Sequence, residues 1–114
     1  MDTFSHQLAD LILGIEAEMR RISLWSSERP SDEALSSLAP FCHDTLTFAQ
    51  WLQWVFLPKM KMALETEEDF PTSSEITPLA EYSFERLAQD TDRLLELIRE
   101  FDKFINRHGN EAGE

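Results

Sequence analysis

From Phe41 to Met60 the chain reads Phe-Cys-His-Asp-Thr-Leu-Thr-Phe-Ala-Gln-Trp-Leu-Gln-Trp-Val-Phe-Leu-Pro-Lys-Met, with only two formal charges, Asp44 and Lys59. This stretch holds two of the three tryptophans, the only cysteine and one of the three histidines. A segment so apolar has to be covered by the rest of the chain, so the protein folds around it. With 114 residues there is enough chain for one core and one domain.

The local signals in this segment are helical. Thr47 is a good N-cap for a helix starting at Phe48. At 100° per residue, Trp51, Val55, Phe48, Leu52, Phe56 and Ala49 share an arc of about 160°. Gln50, Gln53, Leu57 and Trp54 fall outside it. Trp54 is then an aromatic ring off the main stripe, either packed on a second side or exposed as part of an interface. Pro58 has no N–H to donate, and its ring crowds the carbonyl of Trp54, which predicts a helix kinked or broken there.

The flanks are helical too. Phe4, Leu8, Leu11, Ile12, Ile15, Met19 and Ile22 recur every three or four residues, predicting a first helix from about Thr3 to Trp25. Gly14 lies inside it at the edge of the stripe, where a close helix contact would account for it. Ser31 caps a short turn through Leu35. The acid-rich stretch 65–75 reads as a surface loop. Thr77-Pro78 is a helix start with a capping hydroxyl, and Asp90 to Asp92 resembles a second start, so the region 78–107 is one bent helix or two. Leu94, Leu95, Leu97, Ile98, Phe101, Phe104 and Ile105 share a face, and Gly109 supplies a stop. The expected fold is an all-α antiparallel bundle of about four helices. Residues 1–108 form its single domain and 109–114 a disordered tail.

Charge narrows the partners. Twenty-two acidic residues against ten basic ones give a net charge of −12, which repels phosphate backbones and argues against direct nucleic-acid binding. A basic protein partner is better matched. A lone cysteine, the absence of a signal-like N-terminus and the lack of an apolar run of about 20 residues predict a cytoplasmic protein off the membrane.

Chemistry is weakly signalled. Cys42-His43-Asp44 sets a thiol, an imidazole and a carboxylate side by side, but catalytic partners are normally assembled by the fold, and neighbouring side chains diverge. Cys42 reads more simply as a small buried hydrophobe and Asp44 as a turn residue. His6, His43 and His108 are far apart in sequence with no metal-ligand spacing, so no metal or cofactor is expected. Two candidate regions follow. An interaction surface would comprise Trp54, Pro58, Met60 and Trp51, used by a protein partner or by a second copy in a homodimer. A pocket for a small apolar ligand, or for a minor enzyme activity, would comprise Phe41, Cys42, His43 and Asp44.

The run Pro40-Phe41, Asp44-Thr45, Trp51-Leu52-Gln53-Trp54-Val55, Leu57-Pro58 and Met60 resembles the signature of the bacterial YqcC-like proteins. The likeness extends more loosely to the first helix and to Pro78, Glu81 and Tyr82. It implies a small all-helical fold and an association with a tRNA pseudouridine synthase, beside which such proteins tend to be encoded. It transfers no catalytic or binding residue. This chain is too short and too helical to be such a synthase itself, so the resemblance implies a non-enzymatic accessory role.

Overall fold

The computed structural model describes residues 3–112, and the side chains of residues 3–108. Among the described residues five longer helical elements run in order: α1 (Thr3–Arg21), the four-residue α2 (Asp32–Leu35), the central α3 (48–66), α4 (Thr77–Phe84) and α5 (Asp92–Ala112), with a 3-10 turn at Pro40–Cys42 ahead of α3. No strand occurs among the described residues.

Helices α1 and α5 form the antiparallel spine. Leu8, Ile12, Ile15 and Met19 line the inner face of α1, and Leu94, Ile98, Phe101 and Ile105 that of α5; all are almost wholly buried. Their direction follows from two contacts: Phe4 stacks on Phe104 with ring centroids 5.1 Å apart, while Gly14 lies against Leu97. A Cβ on Gly14 would sit 3.5 Å from a Leu97 methyl, an ordinary contact, so packing does not demand the glycine.

The first helix ends four residues earlier than its periodicity predicts. Ser23 adopts a left-handed conformation (φ 65°), its N–H donates to Arg20 O, and Leu24 N donates to Met19 O. This paired pattern is the Schellman stop. It turns Leu24 and Trp25 off the helix axis, and the Arg20 guanidinium lies 4.3 Å from the centre of the Trp25 ring.

In α3, Thr47 caps as expected and does so reciprocally: its hydroxyl accepts from Gln50 N, while the Gln50 side chain accepts from Thr47 N. The irregularity expected at Pro58 is present, but as a π turn over Leu52–Phe56 with no break after it. Leu57 N reaches back five residues to Leu52 O, stacking those two leucines on one face, where both are buried. The uniform helical wheel therefore misplaces Leu57 and Gln53, which lie inside, and Val55, which is only half-buried. Gln53 is satisfied there by one backbone site: Nε2 donates to Ser26 O (2.6 Å) and Oε1 accepts from Ser26 N (2.9 Å).

The region after residue 77 is two helices, separated at 85–91. Thr77 does not cap its own helix. The cap comes from Asp102 on α5, whose buried carboxylate accepts from Ile76 N, Thr77 N, Thr77 Oγ1 and Ser74 Oγ. One turn on, Asn106 pairs with both backbone groups of Ser74. A carboxylate at a helix N-terminus both satisfies open N–H groups and opposes the helix dipole. The last helix passes through Gly109 to Ala112. The expected stop is absent because Gly109 occupies an ordinary helical position, and of the tail expected at 109–114 only Gly113 and Glu114 lie outside the described residues.

Two predictions follow from these tethers. Asp102→Ala should cost about 2–3 kcal/mol in urea unfolding, with Asp102→Asn recovering part of it. Glu16 accepts from Lys61 Nζ at 2.6 Å and from Arg20 Nε at 3.1 Å. The Lys61 hydrogen bond, which joins α3 to α1, is the main cause holding its carboxyl below the usual value. A depressed carboxylate stabilises the fold above its unfolded pKa of about 4.3 and stops doing so as pH falls through the lower folded value. Lys61→Met should therefore be less stable than wild type at neutral pH, with the difference closing in acid below that value.

Candidate apolar cleft

Between the start of α3 and helix α4 lies an open cleft of about 710 Å³. Its lining falls into three groups. Leu24 arrives from the Schellman turn, Phe41, His43 and the run from Leu46 to Ala49 contribute one wall, and Leu79, Tyr82, Ser83, Phe84 and Leu87 contribute the other. The surface is mostly apolar, with His43, Thr47, Tyr82 and Ser83 as its polar points. Tyr82 stands 63% exposed on α4, well above what a buried ring of that size would show.

The segment before α3 is tightly knit. Thr45 Oγ1 donates to Ala34 O at 2.7 Å, Ser37 Oγ donates to Asp44, and both Thr45 N and Leu46 N donate to Cys42 O. Within it, Phe41 and Cys42 are consecutive left-handed residues, φ 58° and 51°. Neither is a glycine, so each carries a backbone cost of order 1–3 kcal/mol that surrounding contacts must offset. Phe41 receives that support from Trp51, whose ring meets it edge-on at 4.9 Å.

Aromatic contacts then run from the cleft into the core. Trp51 also packs on Phe48 (5.8 Å) and Phe56 (5.4 Å). Phe48 meets Phe84 of α4 at 5.6 Å, and Phe56 meets Phe101 of α5 at 4.9 Å. Pairs of this geometry add about 0.5–1.5 kcal/mol each beyond area burial, so the cleft wall is braced from behind.

The residues singled out in the sequence divide accordingly. Phe41 and His43 line the cleft. Cys42 is buried, its sulfur 3.9 Å from Ser37 O, and Asp44 is an exposed turn residue engaged by Ser37. The three adjacent groups thus face different surroundings, because tight turns rotate successive side chains apart. On the other candidate surface, Met60 is only 4% exposed and belongs to the core, because the helix continues past Pro58 and the π turn carries Met60 inward. Trp51 is half-buried in the aromatic stack, Pro58 is exposed, and Trp54 is half-buried. Among the described residues, the Trp54 indole nitrogen is the buried side-chain polar atom without a hydrogen-bond partner. Sequence reasoning missed Leu79, Tyr82 and Leu87. Leu79 and Tyr82 lie on α4 and Leu87 just beyond it, and nothing local says which helix they face.

Among the described residues no three His, Cys, Asp or Glu side chains converge as a metal site, and no helix is long and apolar enough to cross a membrane.

Comparison with known proteins places this geometry in a family. A protein of Haemophilus influenzae, described only as uncharacterized, is 32% identical over 84 residues, covering 74% of this chain and 79% of that one. The uncharacterized protein YqcC of Escherichia coli K12 is 29% identical over 89 residues, covering 78% and 79%. A Pectobacterium carotovorum protein named tRNA pseudouridine synthase C is 38% identical over 68 residues, 60% of this chain but only 18% of its own length. The solution NMR structure of E. coli YqcC superposes with a TM-score of 0.78 over 91% of this chain and 89% of that one, at 23% identity, and so shares the fold. Residues 7–104 match the family model DUF446, described as tRNA pseudouridine synthase C. With nearly the whole bundle inside that match, this chain belongs to the DUF446 family, together with the YqcC-like proteins.

Proposed function

We propose that this chain is a non-enzymatic protein-interaction module that serves a tRNA pseudouridine synthase in the cytoplasm, using the apolar cleft as its contact surface. The observation that carries the reading is the cleft itself: an open apolar hollow beside an exposed tyrosine, with a strained Phe41 held on its wall. Apolar hollows rimmed by aromatic residues are where binding energy concentrates in protein interfaces. The divergence of Cys42, His43 and Asp44 supports a binding role over nucleophilic catalysis. The link to the synthase is supported by the Pectobacterium protein of that name, in which a stretch like this chain forms part of a much longer polypeptide. Trp54 and Pro58 remain a secondary contact area on the flank.

A second reading is favoured by the cleft's volume, which falls in the range of about 300–1,000 Å³ typical of small-molecule sites. In it the occupant is a small apolar ligand.

Purified protein mixed with the tRNA pseudouridine synthase of the same bacterium should form a complex measurable by calorimetry. Tyr82→Ala should weaken that complex about tenfold or more while leaving the helical circular dichroism unchanged. Trp54→Ala should have the smaller effect. The absence of a complex, or a complex indifferent to Tyr82→Ala, contradicts the proposal. Native mass spectrometry that finds a small amphiphile on the purified protein moves the assignment to the second reading.

A further inference from the structure

Two consecutive residues at the cleft stand in a backbone conformation that neither side chain favours. Phe41 (φ 58°, ψ 18°) and Cys42 (φ 51°) are both left-handed, and neither is a glycine. The cause lies just before them. Pro40 fixes its own φ and keeps Ala39 extended (φ −72°, ψ 150°). The reversal of the chain therefore falls on the next two residues. Both flanks are fixed: Ser37 donates to Asp44, Thr45 Oγ1 donates to Ala34 O, and Thr47 exchanges hydrogen bonds with Gln50. The strain is confined to the turn at 39–43.

Few contacts hold that turn. The Phe41 ring meets Trp51 edge-on at 4.9 Å. Cys42 N donates to Ala39 O at 3.0 Å and His43 N to Pro40 O at 3.2 Å. On the outer side Leu38, Pro40 and His43 are exposed, so the turn can change state without displacing a helix. Phe41 also belongs to two structures at once, closing the turn onto Trp51 and lining the cleft. A change in the turn is a change in the cleft wall.

We propose that the Phe41–Cys42 turn is a two-state gate in that wall. In the held state, the one described above, Phe41 rests on Trp51 and Cys42 is buried. In the released state both residues return to right-handed backbone and Phe41 leaves Trp51. The cleft then opens at that point and the Cys42 thiol meets solvent. Relief of the left-handed backbone offsets the loss of the aromatic contact and the turn's hydrogen bonds, which keeps the released state within thermal reach. The gate is a property of the chain itself and holds whatever occupies the cleft.

Cys42, the only cysteine, reports the gate directly. Wild-type protein is labelled with dithionitrobenzoate at urea concentrations well below the unfolding transition, and its global stability is measured under the same conditions. Labelling should run at least about tenfold faster than global unfolding permits and change little with urea, because local opening exposes little surface. Phe41→Ala and Phe41→Gly separate the strain from the ring. Both remove the aromatic contact, but only alanine keeps the left-handed cost. The alanine variant should label about threefold or more faster than the glycine variant once each is corrected for its global stability. Relaxation-dispersion NMR of the wild type then locates the motion. The methyl groups of Leu24 and Leu46, which line the cleft, should exchange at the same rate as the amides of 41–43, while Ile98 in the core stays silent. Labelling that requires global unfolding, equal rates for the two variants, or exchange at 41–43 that leaves both leucines unmoved overturns the inference.

Discussion

A proline without an N–H, set inside a segment whose every other signal is helical, governs much of this structure. A regular α-helix through Pro58 would meet a missing donor and a ring crowding the previous turn. The chain instead widens one turn over Leu52–Phe56 and continues. That adjustment puts Leu57 on the same buried face as Leu52 and turns Gln53 inward. Gln53 then holds Ser26 by both backbone groups. Ser26 lies two residues after Leu24, which closes the Schellman turn and lines the cleft. The path from one backbone constraint to one wall of the candidate site is therefore short and physically continuous.

The opposite wall depends on a different long-range tether. Helix α4 is short, with no side-chain cap of its own, and isolated helices of that length are not stable. Asp102 and Asn106, one turn apart on α5, hold the chain from Ser74 to Thr77 through side-chain and backbone groups. The aromatic contacts of Phe48 with Phe84 and of Phe56 with Phe101 then tie the walls to each other and to the spine. The cleft is thus a space held open between elements fixed elsewhere, which makes it pre-organised for an occupant.

How much of this could be read from residues alone follows from the range of each interaction. The spine helices were legible because Leu8, Ile12, Ile15 and Met19, like Leu94, Ile98, Phe101 and Ile105, record one buried face in their spacing. Thr47 was legible as a cap because its partner, Gln50, is three residues away. The π turn was not: a wheel at constant angle assumes the i→i+4 ladder, and the sequence around Pro58 marks only that something must change. Asp102 was illegible as a cap because it acts 25 residues from Thr77. Of the four residues grouped as a candidate pocket, Phe41 and His43 line the cleft, whereas Cys42 and Asp44 do not, because adjacency in sequence is not respected by tight turns. Leu79, Tyr82 and Leu87 needed the tertiary fold, since only packing decides which helix faces a cavity.

The central claim is that the cleft, and not the Trp54–Pro58 flank, is the surface this family member presents to its partner. Hydrogen–deuterium exchange of the protein, alone and with saturating tRNA pseudouridine synthase, tests it most directly. The account predicts slower exchange on binding in residues 41–49 and 79–87, with the helix around Trp54 and Pro58 changing less. Protection centred on Trp54 and Pro58, or no change in either region, would contradict it.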